Sequence, residues 1–121
     1  MAFIGTDIIE VERVRKLVDT YTSRFLSRIF SKDEIKYCLD HRDPAIHFAG
    51  RFSAKEAVKK AISSVYAEKM IPYNKISIRN DKKGRPYLDN TFLLSANIDI
   101  SISHTKKYAI SFAILNDAKR S

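Results

Sequence analysis

The sequence has little of several residue types, and each shortage excludes a class of protein. Its one cysteine, Cys38, excludes an intramolecular disulfide and a zinc site made of several cysteines. Since no disulfide framework is possible, the cytoplasm is the expected compartment. No apolar run approaches the ~20 residues of a membrane span, and the N-terminus lacks the basic start and long apolar stretch of a signal peptide. The three glycines stand apart, so the chain has no glycine-rich phosphate loop.

What the chain does have is a surplus of positive charge. Its 121 residues are 45% hydrophobic and 30% charged, which predicts one globular domain over residues 1–121. Lysine and arginine number 22 against 14 acidic residues, a formal net charge of +8. Such an excess predicts an anionic partner, whether nucleic acid, phosphorylated ligand, acidic protein or membrane surface.

Part of this charge is concentrated near the N-terminus. Between residues 13 and 32 a single acid, Asp19, accompanies six bases: Arg13, Arg15, Lys16, Arg24, Arg28 and Lys32. Such a run is typical of a solvated helical face, and it is equally compatible with a docking strip for an acidic partner.

The hydrophobic pattern predicts an α+β fold. Residues 2–7 are β-prone, and apolar residues recur at helical spacing from Ile9. A capping box at residues 31–34 predicts a helix that begins near Lys32, and a long helix is expected over residues 44–65. After Pro72 the period becomes two, with a turn at residues 81–86. We therefore expect a single domain with helices packed on one side of a small antiparallel sheet, a meander of three or four strands.

Two carboxylates are candidates for chemistry. Asp7 ends the first predicted strand, where it could cap the following helix or bind a metal ion. Glu56 lies on the long helix one turn before Lys60, with Arg51 and Lys55 on the neighbouring row. Glu56 and Lys60 could form an ordinary surface pair. Alternatively, Asp7 and Glu56 could hold Mg²⁺ while the cations hold phosphate oxygens, because Mg²⁺ is usually bound by one or two carboxylates plus substrate phosphates.

A third candidate is the segment around His104. A histidine after a strand is commonly a surface residue, but Ser103, Thr105 and Lys106 would add donors suited to a phosphate. Ser103 and His104 do not suggest a serine hydrolase, since adjacent strand residues point to opposite faces and no G-x-S-x-G turn is present.

Taken together, these segments resemble a known family. They read I-G-T-D at residues 4–7, R-F-S-A-K-E-A-V-K-K-A at 51–61, K-G-R-P at 83–86 and I-S-H-T at 102–105. Their order and spacing resemble the holo-[acyl-carrier-protein] synthase family, the small bacterial 4′-phosphopantetheinyl transferases. Two segments depart from the family pattern. The family's G-T-G-type loop is replaced by I-S-S-V-Y-A at residues 62–67, and the stretch over residues 89–99 is short where relatives often carry a helix.

The resemblance implies the 4′-phosphopantetheinyl transferase fold and a reaction. The 4′-phosphopantetheine group of coenzyme A would pass to a serine of apo acyl carrier protein in fatty acid biosynthesis, releasing adenosine 3′,5′-bisphosphate. It also implies Mg²⁺ held by Asp7 and Glu56, and a homotrimer with active sites at subunit interfaces. The implied catalytic residues are Glu56, Lys60 and His104, with Glu56 also a possible base for the serine. The implied coenzyme A contacts are Arg51, Lys55, Lys60, Lys83, Gly84, Arg85, Pro86, Ser103, His104 and Thr105.

Acyl carrier proteins are strongly acidic, so the resemblance also suggests a use for the basic run. Arg13, Arg24 and Arg28 become candidates for docking the carrier, and Phe25 could supply an apolar anchor. Two other functions fit the charge alone: a small nucleic-acid-binding module, and a non-catalytic adaptor for an acidic protein. Only the transferase needs two carboxylates beside one ion, and we therefore expect neither a nucleic acid nor a membrane as partner.

Overall fold

The computed structural model describes residues 1–21, 23–63, 71–89 and 96–117. Within these ranges the elements follow in chain order as β1 (Ala2–Glu10), α1 (Val11–Thr20), α2 (Ser23–Ile29), α3 (Lys32–Leu39), α4 (Pro44–Ser63), a 3₁₀ turn (Tyr73–Lys75), β2 (Ser77–Asn80), β3 (Pro86–Asp89), β4 (Ala96–His104) and β5 (Tyr108–Asp117).

The strands form two antiparallel sheets. One has the order β1-β5-β4, so the last strand lies between the first and the fourth, and the other is the β2–β3 hairpin. The α+β class is confirmed, whereas the expected single meander is wrong. Alternating apolar residues identify a strand but do not specify its neighbour, and here β1 pairs with β5 at the far end of the chain.

Helix α4 packs along one face of the three-stranded sheet. Small residues make the close approach possible: Ala57 and Ala61 of α4 and Ala113 of β5 are fully buried in one apolar cluster. The hydroxyl oxygens of Ser53 and Ser111 lie 2.5 Å apart in the same interface. These contacts hold α4 against the sheet at several points along the helix.

The opposite face of this sheet has no helix or strand of the described residues packed against it. It is lined by large apolar side chains, of which Ile4 is 62% exposed and Phe112 is 48% exposed. The side chains of Ile8, Ile110 and Ile114 are also exposed on this face. The helices lie on one side of the sheet, as predicted, and the other side presents an apolar surface that we call the outer sheet face.

Local signals located the helices with small errors. The capping box at Ser31 is present, since its hydroxyl accepts from the Glu34 amide and the Glu34 carboxylate accepts from the Ser31 amide. Helix α1 begins at Val11 rather than Ile9, because β1 pairs with β5 as far as Glu10. The predicted end of the long helix at residue 65, and parts of the departing segments 62–67 and 89–99, lie outside the described residues. None of the helices in the described ranges combines the length and apolarity needed to cross a membrane.

Candidate active site

Asp7 lies in the middle of β1 and faces α4. The approach of the two elements requires Gly5, because a Cβ atom there would lie 1.8 Å from the carbonyl oxygen of Ala57. Residues that alternate with Gly5 point the same way, which brings Asp7 to the C-terminal half of α4. The helix-cap interpretation of Asp7 is wrong, since the residue before α1 is Glu10.

Lys60 joins Asp7 at this place. Its Nζ lies 3.3 Å from Asp7 Oδ1 and donates to the carbonyl oxygen of Thr6 at 2.9 Å. The Lys60 side chain is 55% exposed and that of Asp7 is 19% exposed. Both charged groups therefore remain within reach of a ligand from solvent.

Glu56 reaches the same region and has a partner that the sequence analysis missed. The hydroxyl of Tyr73 donates to Glu56 Oε1 at 2.5 Å. This hydrogen bond, together with partial burial and the negative charges of Glu56 and Asp7, raises the pKa of Tyr73 to about 12. Because both carboxylates lie near enough to affect one phenol, we group Asp7 and Glu56 in one candidate site.

Asp7 and Glu56 match Mg²⁺ both in the type of ligand atom and in the number of protein ligands that this ion usually takes. Mg²⁺ prefers hard oxygen ligands and keeps water or substrate oxygens in much of its shell. In the parts of the chain that the structure describes, no three His, Cys, Asp or Glu residues come together as a fuller metal site. Asp7 and Glu56 could thus hold the ion only as a partial shell, completed by phosphate oxygens and water.

Lys55 does not belong to this site, contrary to the predicted coenzyme A contact. Its side chain is fully buried, and its Nζ lies 2.6 Å from Glu34 Oε1. It also donates to the carbonyl oxygens of Tyr73, at 2.8 Å, and Ile76, at 2.5 Å. An ammonium group has three donors. All three of Lys55 are used inside the fold, so we remove it from the set that contacts a phosphate.

Arg51 occupies a second place, five residues before Glu56 on α4. It is 5% exposed, its guanidinium lies 4.0 Å from the centre of the Tyr37 ring, and Nη2 donates to the side-chain oxygen of Asn80. Its Nε is buried without a hydrogen-bond partner among the described residues. Arg51, Tyr37 and Asn80 line a cavity of about 250 Å³ between α3, α4 and β2. A buried cation with an unused donor suits an anionic ligand.

The predicted K-G-R-P contacts lie beside this cavity. Lys83, Gly84 and Arg85 lie in the exposed turn between β2 and β3, and Pro86 begins β3. Gly84 has φ of 82°, in the left-handed region that favours glycine. Asn80 connects the turn to Arg51, since its side-chain amide donates to the Gly84 carbonyl oxygen at 2.9 Å. Asn80 was missed because nothing in its sequence context distinguishes it from other strand residues.

His104 also lies at this second place. It ends β4 opposite Ala109, whose side chain faces α4, and its ring centroid lies 6.1 Å from that of His47. His41 lies 3.7 Å from His47, so all three histidines of the chain form one cluster. Burial, followed by the charges of His41 and His104, lowers the pKa of His47 to about 4.

Ser103 and Thr105, the sequence neighbours of His104, lie in different surroundings. Ser103 lies opposite Ile110 and therefore on the outer sheet face, away from the cluster. The Thr105 hydroxyl accepts from the amides of Lys107 and Tyr108, each at 3.1 Å, which shapes the turn before β5. The structure thus separates Ser103 from His104, although the two are adjacent in sequence.

The predicted site residues accordingly form two groups rather than one. The first group is Asp7, Glu56 and Lys60, and the second is Arg51, His104 and the turn at residues 83–86. His104 lies by His47 near the start of α4, and Asp7 lies by Lys60 near its end. Thirteen helical steps between His47 and Lys60 span about 20 Å. A single chain therefore holds His104 away from Asp7, whereas Arg51 and Glu56 lie only five residues, about 7.5 Å, apart along α4.

The basic run forms part of a third surface. Arg13, Arg24 and Arg28 are exposed on α1 and α2, and Phe25 is half-buried with its ring stacked 4.5 Å from that of Tyr21. Arg15 of the same run instead binds Asp43 through two nitrogens, at 2.7 and 3.1 Å. This bond and the one to Glu12 raise the pKa of Arg15, while Arg15 lowers the pKa of Asp43.

Comparison with known proteins gives these groups a context. A family model described as the 4′-phosphopantetheinyl transferase superfamily matches residues 3–113. A holo-[acyl-carrier-protein] synthase of Protochlamydia amoebophila is 45% identical in an alignment of 116 residues that covers 92% of this chain and 94% of the relative. One of Chlorobium limicola is 41% identical, over 93% and 92% of the two chains.

A solved structure agrees with the sequence comparisons. The holo-(acyl-carrier-protein) synthase of Bacillus anthracis, in complex with CoA (3′,5′-ADP), is similar with a TM-score of 0.81 and 32% identity, over 96% of each chain. The resemblance inferred from the motifs is confirmed, and with it the class of enzyme. The chain belongs to the 4′-phosphopantetheinyl transferase superfamily, among the holo-[acyl-carrier-protein] synthases.

Proposed function

We propose that this chain transfers the 4′-phosphopantetheine group of coenzyme A to a serine of apo acyl carrier protein, releasing adenosine 3′,5′-bisphosphate, and so supports fatty acid biosynthesis. The observation that carries the proposal is the meeting of Asp7, Glu56 and Lys60 at one partly exposed place in a basic chain. Relatives named for holo-[acyl-carrier-protein] synthesis, one of them in complex with CoA, support it. A cytoplasmic location stays a prediction.

The proposed roles follow from charge and position. Mg²⁺ held by Asp7 and Glu56 would neutralise charge on the diphosphate of coenzyme A. Lys60, which is paired with Asp7 and 55% exposed, would donate to the same phosphate oxygens and stabilise charge that grows on the leaving group. We also propose Glu56 as the base for the attacking serine, directly or through water. Arg51, His104, Thr105 and the turn at residues 83–86 would hold the nucleotide end.

Mass spectrometry of the carrier tests the reaction. The chain is incubated with apo acyl carrier protein, coenzyme A and Mg²⁺, and the carrier should gain the mass of one phosphopantetheine group. Glu56→Gln should abolish the gain with the fold intact, whereas Glu12→Gln, at an exposed position of α1, should not. No adduct with any plausible carrier would overturn the proposal. RNA binding that falls steeply with salt would favour the nucleic-acid alternative.

We propose further that the working enzyme is a homotrimer with interfacial active sites. His104 lies beside His47 and Asp7 lies beside Lys60, and these two positions of α4 are about 20 Å apart, so one chain does not bring His104 to the carboxylates. The outer sheet face offers a surface on which copies could assemble, because contiguous exposed apolar side chains such as Ile4, Ile110 and Phe112 are uncommon on a monomer. Assembly there would cover this face, and the proposed interfacial sites require that it places one chain's first group near another's second group.

Mixing two inactive variants tests the shared site. Glu56→Gln disables the first group and His104→Ala the second, so each variant alone should be inactive. Mixed trimers refolded from both should regain part of the activity, because some interfaces then combine two intact groups. No recovery in mixed trimers would place the site within one chain. A monomeric mass by light scattering would exclude the trimer.

We propose that the exposed arginines of α1 and α2 dock the carrier, with Phe25 as the apolar contact. A strip of rim charges acts mainly on association rate and is screened by salt. Arg13→Glu should therefore slow transfer at low salt more than at high salt. Equal rates for the variant and the wild-type chain at low salt would remove Arg13 from the interface.

A further inference from the structure

The hydroxyl of Tyr73 is the closest side-chain contact that Glu56 makes among the described residues. It donates to Oε1 at 2.5 Å, from the 3₁₀ turn that precedes β2. Nothing in the motifs that carry the family resemblance includes this tyrosine. Its contact is nevertheless with the carboxylate on which the proposed metal site depends.

Three further contacts fix the Tyr73 ring and backbone. The ring lies 5.6 Å from that of Phe52, and Lys59 Nζ lies 3.5 Å from its centre. The Tyr73 carbonyl oxygen accepts from buried Lys55 at 2.8 Å. Since ring, backbone and hydroxyl each have a defined neighbour, the phenol is a rigid donor and not a mobile surface group.

A rigid donor on one carboxylate oxygen has a defined consequence. The hydrogen bond to Oε1 restricts rotation of the Glu56 carboxylate and leaves Oε2 as its oxygen without this bond. Groups that hydrogen-bond a metal ligand orient it, and removing them typically lowers metal affinity or activity by about 10–100-fold. Lys55 and Glu34 contribute indirectly, because they hold the turn that carries Tyr73.

We propose that Tyr73 is a positioning residue: its hydroxyl holds Glu56 so that Oε2 is presented to the divalent cation. The inference rests on the proposed function, since it concerns the same site. It predicts that the tyrosine hydroxyl, acting through Glu56, sets the Mg²⁺ requirement of the reaction.

Tyr73→Phe tests the inference, because it removes one oxygen and keeps the ring between Phe52 and Lys59. Calorimetric titration of Mg²⁺ into the chain loaded with coenzyme A should show a dissociation constant about tenfold higher. The Mg²⁺ concentration for half-maximal transfer should rise by the same factor, while the KM for coenzyme A at saturating Mg²⁺ stays unchanged. Tyr87→Phe, at an exposed tyrosine of β3, is the matched control and should change neither quantity.

Other outcomes overturn the inference. If Tyr73→Phe binds Mg²⁺ as the wild-type chain does, or loses activity that excess Mg²⁺ does not restore, Tyr73 is not a positioning residue for the ion. Both results leave the proposed transfer intact as long as the wild-type chain modifies the carrier. A wild-type chain that neither binds Mg²⁺ nor modifies the carrier would overturn the proposed function, and this inference with it.

Discussion

Two lysines of α4 form ion pairs with very different surroundings. Lys55 lies 2.6 Å from Glu34, and both side chains are 0% exposed. Lys60, little more than one turn further on, lies 3.3 Å from Asp7, with side chains 55% and 19% exposed. The same residue type on one helix thus forms a closed pair in the core and an open pair at the surface.

The closed pair is stable because its remaining hydrogen-bonding capacity is used. Glu34 accepts from the backbone amides of Ser31 and Ile78, and Lys55 donates to two carbonyl oxygens. Burial lowers the pKa of Lys55, and the Glu34 carboxylate opposes that shift. Such a pair connects α3, α4 and β2 and has nothing to offer a ligand. The open pair keeps two charges within reach of solvent, where a phosphate or a cation can compete for them.

The largest expected effect comes from breaking the closed pair. Lys55→Met leaves Glu34 as an uncompensated buried charge, which should lower the free energy of unfolding by about 3–5 kcal/mol. Urea denaturation followed by circular dichroism measures this loss.

A double variant is the control for the closed pair. Lys55→Met with Glu34→Gln removes both charges, keeps an amide able to complete the capping box, and should recover part of the lost stability. A single variant within about 1 kcal/mol of the wild-type chain, the range of surface pairs, would contradict the burial of this pair.

The next effect should come from the backbone that supports the open pair. In Gly5→Ala the new Cβ would meet the carbonyl oxygen of Ala57 at 1.8 Å, so β1 must move away from α4. Overpacking of this kind costs about 1–3 kcal/mol, and it should also weaken transfer, since Asp7 moves with the strand.

Gly50→Ala is the matched control for Gly5. There the nearest atom to a Cβ is Ile102 Cγ2 at 3.2 Å, at the end of a flexible side chain, and alanine favours the helix by about 1 kcal/mol. We expect Gly50→Ala to have little effect on unfolding. If both variants lost the same free energy of unfolding, the close contact at Gly5 would not be the cause of the loss.

Sequence reasoning located what depends on local signals. The capping box of Ser31 and Glu34 marked the start of α3, and period-two runs marked the strands. The motif residues Asp7 and Glu56 were chosen as a pair, and the structure places both near Tyr73. Each of these signals is carried by neighbours in sequence or by a motif of fixed spacing.

The errors concern contacts between distant segments. Lys55 and Lys60 look alike in sequence, and only the packing of α3 and the 3₁₀ turn against α4 decides which one is buried. Tyr73 follows a segment without periodicity, so no pattern pointed to Glu56. The distance of His104 from Asp7 depends on β5 lying between β1 and β4, which no strand pattern specifies.

His47 extends the comparison to a partly buried base, on which burial and neighbouring positive charges outweigh the carboxylate of Asp43. Its pKa is lowered to about 4, against about 6.5 for an unfolded histidine. Between these values the unfolded chain binds the extra proton and the folded chain does not, so stability should fall as the pH falls from about 6.5 towards about 4. His47→Phe should flatten this dependence in urea midpoints measured across the window. An unchanged slope would assign the dependence to other groups.

The smallest expected effect on stability comes from breaking the open pair. Lys60→Met removes a cation that is 55% exposed, and exposed pairs are worth less than about 1 kcal/mol. Transfer should nevertheless fall by about 10²-fold or more, because the variant loses a donor aimed at charge that develops on the substrate. Urea denaturation and a transfer assay on the same preparation separate the two quantities. A loss of stability as large as that of Lys55→Met would show that both lysines serve the fold, and the distinction between a closed and an open pair would then have no functional meaning.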